Sequence, residues 1–194
     1  MYIRNNTIAL IFRVVFIIAC GAGLVMKLIY SSFSLATVMS DFALIANALA
    51  LIYFAYLIVA RPNYERGVIR GAVTIYMLVT FVVYYFMPFG VDANPLFSLS
   101  LAGYLLYFAS PIMAVLDYLL FCKKGWFTPY SPLIWTILPV IFNLAVYIVN
   151  RMGIAMISIP YFNLLDMSLI ITLFVFLGVS YLLFAADSLM YGRR

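Results

Sequence analysis

Six apolar runs recur along the chain, separated by clusters of charged and turn-forming residues. Each run approaches the roughly 20 residues that an α-helix needs to cross a hydrocarbon core about 30 Å thick. They predict helices over 7–30, 42–60, 71–89, 99–121, 132–150 and 168–190. The fold class expected is therefore all-α: one polytopic transmembrane bundle of about six helices over residues 1–194. The breaks between runs differ in kind. Arg61-Pro62-Asn63-Tyr64-Glu65-Arg66-Gly67, continuing to Arg70, and Lys123-Lys124-Gly125-Trp126, continuing to Pro132, are basic. The fifth break, from Met152 to Met167, is longer and apolar and holds Pro160-Tyr161-Phe162-Asn163. It is expected to dip into the membrane, where irregular backbone is tolerated only against protein or water.

Composition strengthens this picture. Hydrophobic residues make up 68% of the chain and charged residues 9%, against about 25% charged in a soluble domain. Mean hydropathy is +1.17. The net charge of +5 is no sign of nucleic-acid binding, because no basic stripe with interleaved aromatic residues lies outside the apolar segments. The basic residues instead set topology. Arg4, Arg61, Arg66, Arg70, Lys123, Lys124, Arg193 and Arg194 fall on one side of a six-helix arrangement, with Lys27, Arg151, Asp41, Asp92 and Asp166 on the other. The positive-inside rule then places both termini in the cytoplasm of a cell-membrane protein. Tyr30, Tyr64, Trp126, Tyr130, Trp135, Tyr161 and Tyr191 fall near predicted helix ends, where an amphipathic ring anchors at the headgroups. Ile17-Ile18-Ala19-Cys20 faintly resembles a lipoprotein cleavage site, but Arg13 interrupts the preceding apolar stretch, so a retained first helix is expected. Cys20 and Cys122 give no support for a disulfide.

Polar residues within the apolar runs are the candidates for chemistry. Arg13 lies about two turns into the first helix and requires a partner at that depth. Asp117 and Asp187 fall at comparable depths from the same side, so the three form a predicted structural charge cluster. Pro111 and Pro139 lack the amide that would bond four residues back, which frees the carbonyls of Tyr107 and Trp135. Two kinked neighbours can open a cavity, and Tyr104, Tyr107, Ser110, Asn143 and Tyr147 are its candidate lining. Ala43, Ala46 and Ala50, like Gly21 and Gly23, read as close helix contacts.

From Asp41 onward, the chain resembles the bacterial conserved-proline six-helix membrane proteins, relatives of the androgen-induced FAR-17a-like family. The resemblance is carried by Phe42 and Asn47, Val83-Tyr84, and Pro111 with Leu116-Asp117-Tyr118-Leu119-Leu120-Phe121. It continues in Trp135 with Pro139 and in Pro160-Tyr161-Phe162 followed by Leu165-Asp166. It implies intramembrane hydrolysis of fatty-acid esters of hydroxy fatty acids by a threonine nucleophile and a histidine base. This chain departs at both places, with Ala43 at the threonine position and Tyr107 at the histidine position, and it contains no histidine at all.

The lack of histidine also excludes imidazole metal sites, histidine-ligated haem and a Ser-His-Asp triad. Gly21-Ala22-Gly23 lies inside an apolar helix with no preceding strand, so no dinucleotide fingerprint is present. No catalytic residue, metal or cofactor is expected, although Ser40 and Ser110 remain alternative nucleophiles with Asp41 or Tyr107 as partners. The expected function is non-catalytic binding of a lipid or acyl chain, its head oriented by Tyr107, Ser110 and Asn143, with Tyr104, Tyr147 and Asn47 completing the site. The alternatives are a small transporter or channel using Arg13, Asp117 and Asp187, and an accessory subunit of a membrane complex. Expected partners are membrane lipids and, in the last case, another membrane protein; nucleic acid is not among them.

Overall fold

A computed structural model describes residues 6–30, 41–60, 67–86, 100–153 and 167–192. The described residues form six helices and no strands: α1 (Asn6–Tyr30), α2 (Phe42–Ala60), α3 (Gly67–Phe86), α4 (Leu101–Phe121), α5 (Ser131–Arg151) and α6 (Met167–Gly192). Five of these contain stretches long and apolar enough to cross a membrane, and the apolar stretch Gly67–Val82 of α3 is shorter. Their number and hydropathy define a multi-pass membrane protein. The connection from 154 to 166 lies outside the described residues, as do Arg4, Arg61, Arg66, Arg193, Arg194, Ser40, Tyr64, Asp92, Tyr161 and Asp166.

Local chemistry starts the helices where the apolar runs begin. Asp41 caps α2, its Oδ1 accepting the Ala43 amide at 3.0 Å, and Ser100 caps α4 by accepting the Gly103 amide at 3.2 Å. Pro132 opens α5, where its missing N–H is no loss. Between α4 and α5, Gly125 takes φ = 85° beneath the Tyr191 ring, which leaves no room for a Cβ.

Packing makes α3 the hub of the bundle, in contact with α2, α4, α5 and α6, while α1 lies against α2 and α4. Phe16 of α1 stacks on Phe54 of α2 at 4.0 Å between centroids. Tyr76 of α3 meets Phe42 of α2 edge-on and Phe176 of α6 face to face. The start of α3 falls four residues before the predicted one. Gly67 and Gly71, one turn apart, allow Trp126 and Trp135 to lie directly on the α3 backbone. Trp135 fixes this contact by donating its indole N–H to the Val68 carbonyl at 2.8 Å. Arg70 is thereby drawn inside the bundle, where the sequence pattern places it in a connection.

The expected orientation is open to a direct check in cells, using single cysteines on a background without Cys20 and Cys122. Lys123→Cys, in the exposed α4–α5 connection, should resist an impermeant maleimide until the cells are permeabilised. Met152→Cys, exposed at the far end of α5, should label in intact cells. The reverse pattern would invert the topology.

Candidate functional site

The polar side chains inside the bundle gather at two levels. At the level of Arg13, the carboxylate of Asp117 on α4 receives two guanidinium groups. Arg13 Nε of α1 donates to Oδ1 at 3.1 Å, and Arg70 Nη2 of α3 donates to Oδ2 and, at 3.3 Å, to the Asp117 carbonyl. A neighbouring set holds the connection below it. Tyr118 donates its hydroxyl to Asp187 Oδ1 at 2.6 Å, and Asp187 Oδ2 accepts the amides of Gly125 and Trp126 at 2.8 and 3.2 Å. Lys124 folds back beneath Tyr118, its Nζ 3.3 Å from the ring centroid and 2.5 Å from the Tyr118 carbonyl. Asp187 therefore ties α6 to the α4–α5 connection, and Asp117 ties α1 and α3 to α4. With every carboxylate oxygen of this level engaged by a donor, the arrangement suits holding helices together.

The second level lies towards the opposite end. Tyr107 of α4 donates its hydroxyl to Asp41 Oδ2, and Tyr84 of α3 stacks on its ring at 4.3 Å and 7°. Lys27, in the last turn of α1, places Nζ 5.8 Å from the centroid of the same ring. That separation is within cation–π range. Lys27 and Asp41 thus both adjoin Tyr107, yet among the described residues Lys27 forms no ion pair.

The proline positions connect the levels. Around Pro111, α4 widens into a π-turn over Leu105–Ala109, where the Ser110 amide bonds five residues back to Leu105. In this register the bond Pro111 cannot make is one to Leu106, so the freed carbonyl is that of Leu106 and not Tyr107. Asn47 of α2 satisfies it, donating Nδ2 to Leu106 at 3.1 Å and to its own-helix Ala43 carbonyl at 2.8 Å. The Cys20 thiol donates to Asn47 Oδ1 at 3.4 Å. At Pro139 the freed carbonyl is that of Trp135, and it accepts the Tyr76 hydroxyl at 2.9 Å.

The six ligand-site residues drawn from the sequence separate into different surroundings. Tyr107 and Asn47 are buried at the second level. Ser110 is buried as well, with no hydrogen bond to its Oγ among the described residues. Asn143 is buried on α5, where its Nδ2 reaches the Pro139 carbonyl at 3.3 Å and its Oδ1 accepts no hydrogen bond from the described residues. Tyr104 is 43% exposed and stacks on Phe108, and Tyr147 accepts from Arg151 at the end of α5. The sequence pattern marks Lys27 as a topology residue, offers Asp41 both as a topology residue and as a partner for a serine nucleophile, and does not single out Tyr84 for the site. Their position beside Tyr107 rests on contacts between helices remote in sequence, which no local pattern signals.

No protein-family profile, no curated protein and no solved structure matches this chain.

Proposed function

We propose that this protein is a non-catalytic relative of intramembrane lipid-ester hydrolases that holds a lipid or acyl chain in its helix bundle. One observation carries the reading. Ala43 and Tyr107, the positions at which the resemblance implies a threonine nucleophile and a histidine base, lie together although 64 residues separate them in the chain. The Ala43 amide and the Tyr107 hydroxyl both bond to Asp41, and Asn47 links the Ala43 carbonyl to that of Leu106. The two positions named by the resemblance are thus neighbours across Asp41, and neither carries a group able to act as nucleophile or base. A methyl group is no nucleophile, and a phenol of ordinary pKa about 10 is a poor base near neutrality where imidazole titrates near 6.5. What survives is a small polar focus among apolar helices, the composition of a pocket that orients the head of an apolar ligand.

The test is extraction in a mild detergent followed by mass spectrometry of what remains bound. A stoichiometric lipid should accompany the protein, and hydroxy-fatty-acid esters should turn over no faster than in a control. Protein that retains no lipid, and regains none from mixed vesicles, would overturn the binding reading. Ester hydrolysis abolished by Ser110→Ala would overturn the non-catalytic one.

A further inference from the structure

We propose that the Lys27–Tyr107–Asp41 cluster receives the headgroup of a zwitterionic phospholipid, its phosphate on Lys27 and its ammonium at Asp41. This rests on the reading that the bundle holds a lipid, and it names which lipid.

The argument starts from two opposite charges that adjoin one phenol without neutralising each other. Lys27 is half-buried, and it meets the face of Tyr107 where an ion pair is the usual compensation for a charge in such a place. Asp41, also half-buried, accepts the Ala43 amide on one oxygen and the Tyr107 hydroxyl on the other. A carboxylate has about four acceptor positions, and the described residues fill two of them. The phenol spans the two charges, with its ring against the ammonium and its hydroxyl on the carboxylate.

A ligand carrying only negative charge would gain Lys27 and meet repulsion from Asp41, and a cationic ligand would meet the reverse. A headgroup with both signs a few ångströms apart satisfies each partner. Location decides for a lipid over a free metabolite of the same chemistry. Lys27 lies in the last turn of a 25-residue apolar helix that ends in an exposed tyrosine, Tyr30, and that depth is where headgroups lie.

Two charge-removing variants test this from opposite sides. Asparagine caps a helix as well as aspartate, so Asp41→Asn leaves the start of α2 intact. Purified protein is exchanged into mixed micelles with equal amounts of phosphatidylethanolamine, phosphatidylglycerol and a fatty acid, and retained lipid is read by native mass spectrometry. The unmodified protein should favour phosphatidylethanolamine. Lys27→Gln should lower its retention about tenfold, the loss of one charge-assisted contact, and Lys27→Arg should restore it. Asp41→Asn should turn the preference to phosphatidylglycerol. Lipid retained without headgroup preference, a preference for fatty acid or phosphatidylglycerol in the unmodified protein, or a preference unmoved by Lys27→Gln would overturn the assignment while lipid holding stands. Absence of any retained lipid would overturn both.

Discussion

Asp117→Ala should lower the melting temperature of the detergent-solubilised protein more than any other single charge removal. The substitution leaves the guanidinium groups of Arg13 and Arg70 facing each other without the carboxylate that joins them. Their side chains are 12% and 2% exposed, so water can do little to replace it. Breaking a buried pair by removing one partner costs about 3–5 kcal/mol, and here one removal takes the shared carboxylate from two cations. Arg13→Ala should be milder, because Asp117 keeps Arg70. The triple change Asp117→Leu, Arg13→Met, Arg70→Met should recover most of the lost stability, since apolar groups of similar volume often match or exceed a buried ion pair. Melting of Asp117→Ala at the unmodified temperature would mean that the triad contributes nothing to holding α1, α3 and α4 together.

The second large effect is expected at Gly71. A Cβ there would stand 2.8 Å from Phe127 and 2.9 Å from Trp135 Cη2, closer still to another atom of that indole, and neither ring is a flexible chain end. Trp135 is held by its bond to the Val68 carbonyl and by the edge-on contact with Phe127 at 5.1 Å, so it cannot turn aside without losing both. Overpacking of this kind costs about 1–3 kcal/mol, and Gly71→Ala should reach the upper part of that range. Gly178→Ala is the matched control. Nothing lies within 4 Å of its Cβ position, so the higher helix propensity of alanine should leave stability level or improved. Equal melting of the two variants would show that α3 and α5 do not approach as closely as described.

The helices were readable because hydropathy is additive along the chain. Long apolar runs bounded by charge predict six helices, and α2 begins at Phe42 and α4 ends at Phe121 as expected, while α3 already includes Gly67, ahead of its expected start. The exception is instructive. Arg70 counts as a connection residue to any window average, yet the paired glycines at 67 and 71 bring two tryptophans onto the backbone and carry the arginine inside, where Asp117 receives it. The site was less accessible for a similar reason. Tyr104 and Tyr107, three residues apart, share a face of an ideal α-helix. The π-turn beginning at Leu105 winds the chain more slowly, so Tyr107 enters the bundle while Tyr104 remains outside. The same widening passes the open carbonyl from Tyr107 to Leu106. At Pro139, where no widening is recorded, the carbonyl expected from sequence is the one that Tyr76 reaches. Asp41 and Tyr107 are 66 residues apart, and only the packing of α2 on α4 brings them into contact.

Helix α4 carries Tyr107 and Asp117 ten residues apart, a rise of about 15 Å, or half the thickness of a hydrocarbon core. A headgroup held at Tyr107, as proposed, would therefore stand about one leaflet's depth from the ion-pair level along α4. On that proposal, the leaflet nearer Tyr107 would supply the headgroup. In a bilayer whose two leaflets differ in composition, the protein would respond to one of them and be blind to the other, with the arginines at Asp117 acting as the fixed floor beneath the exchange.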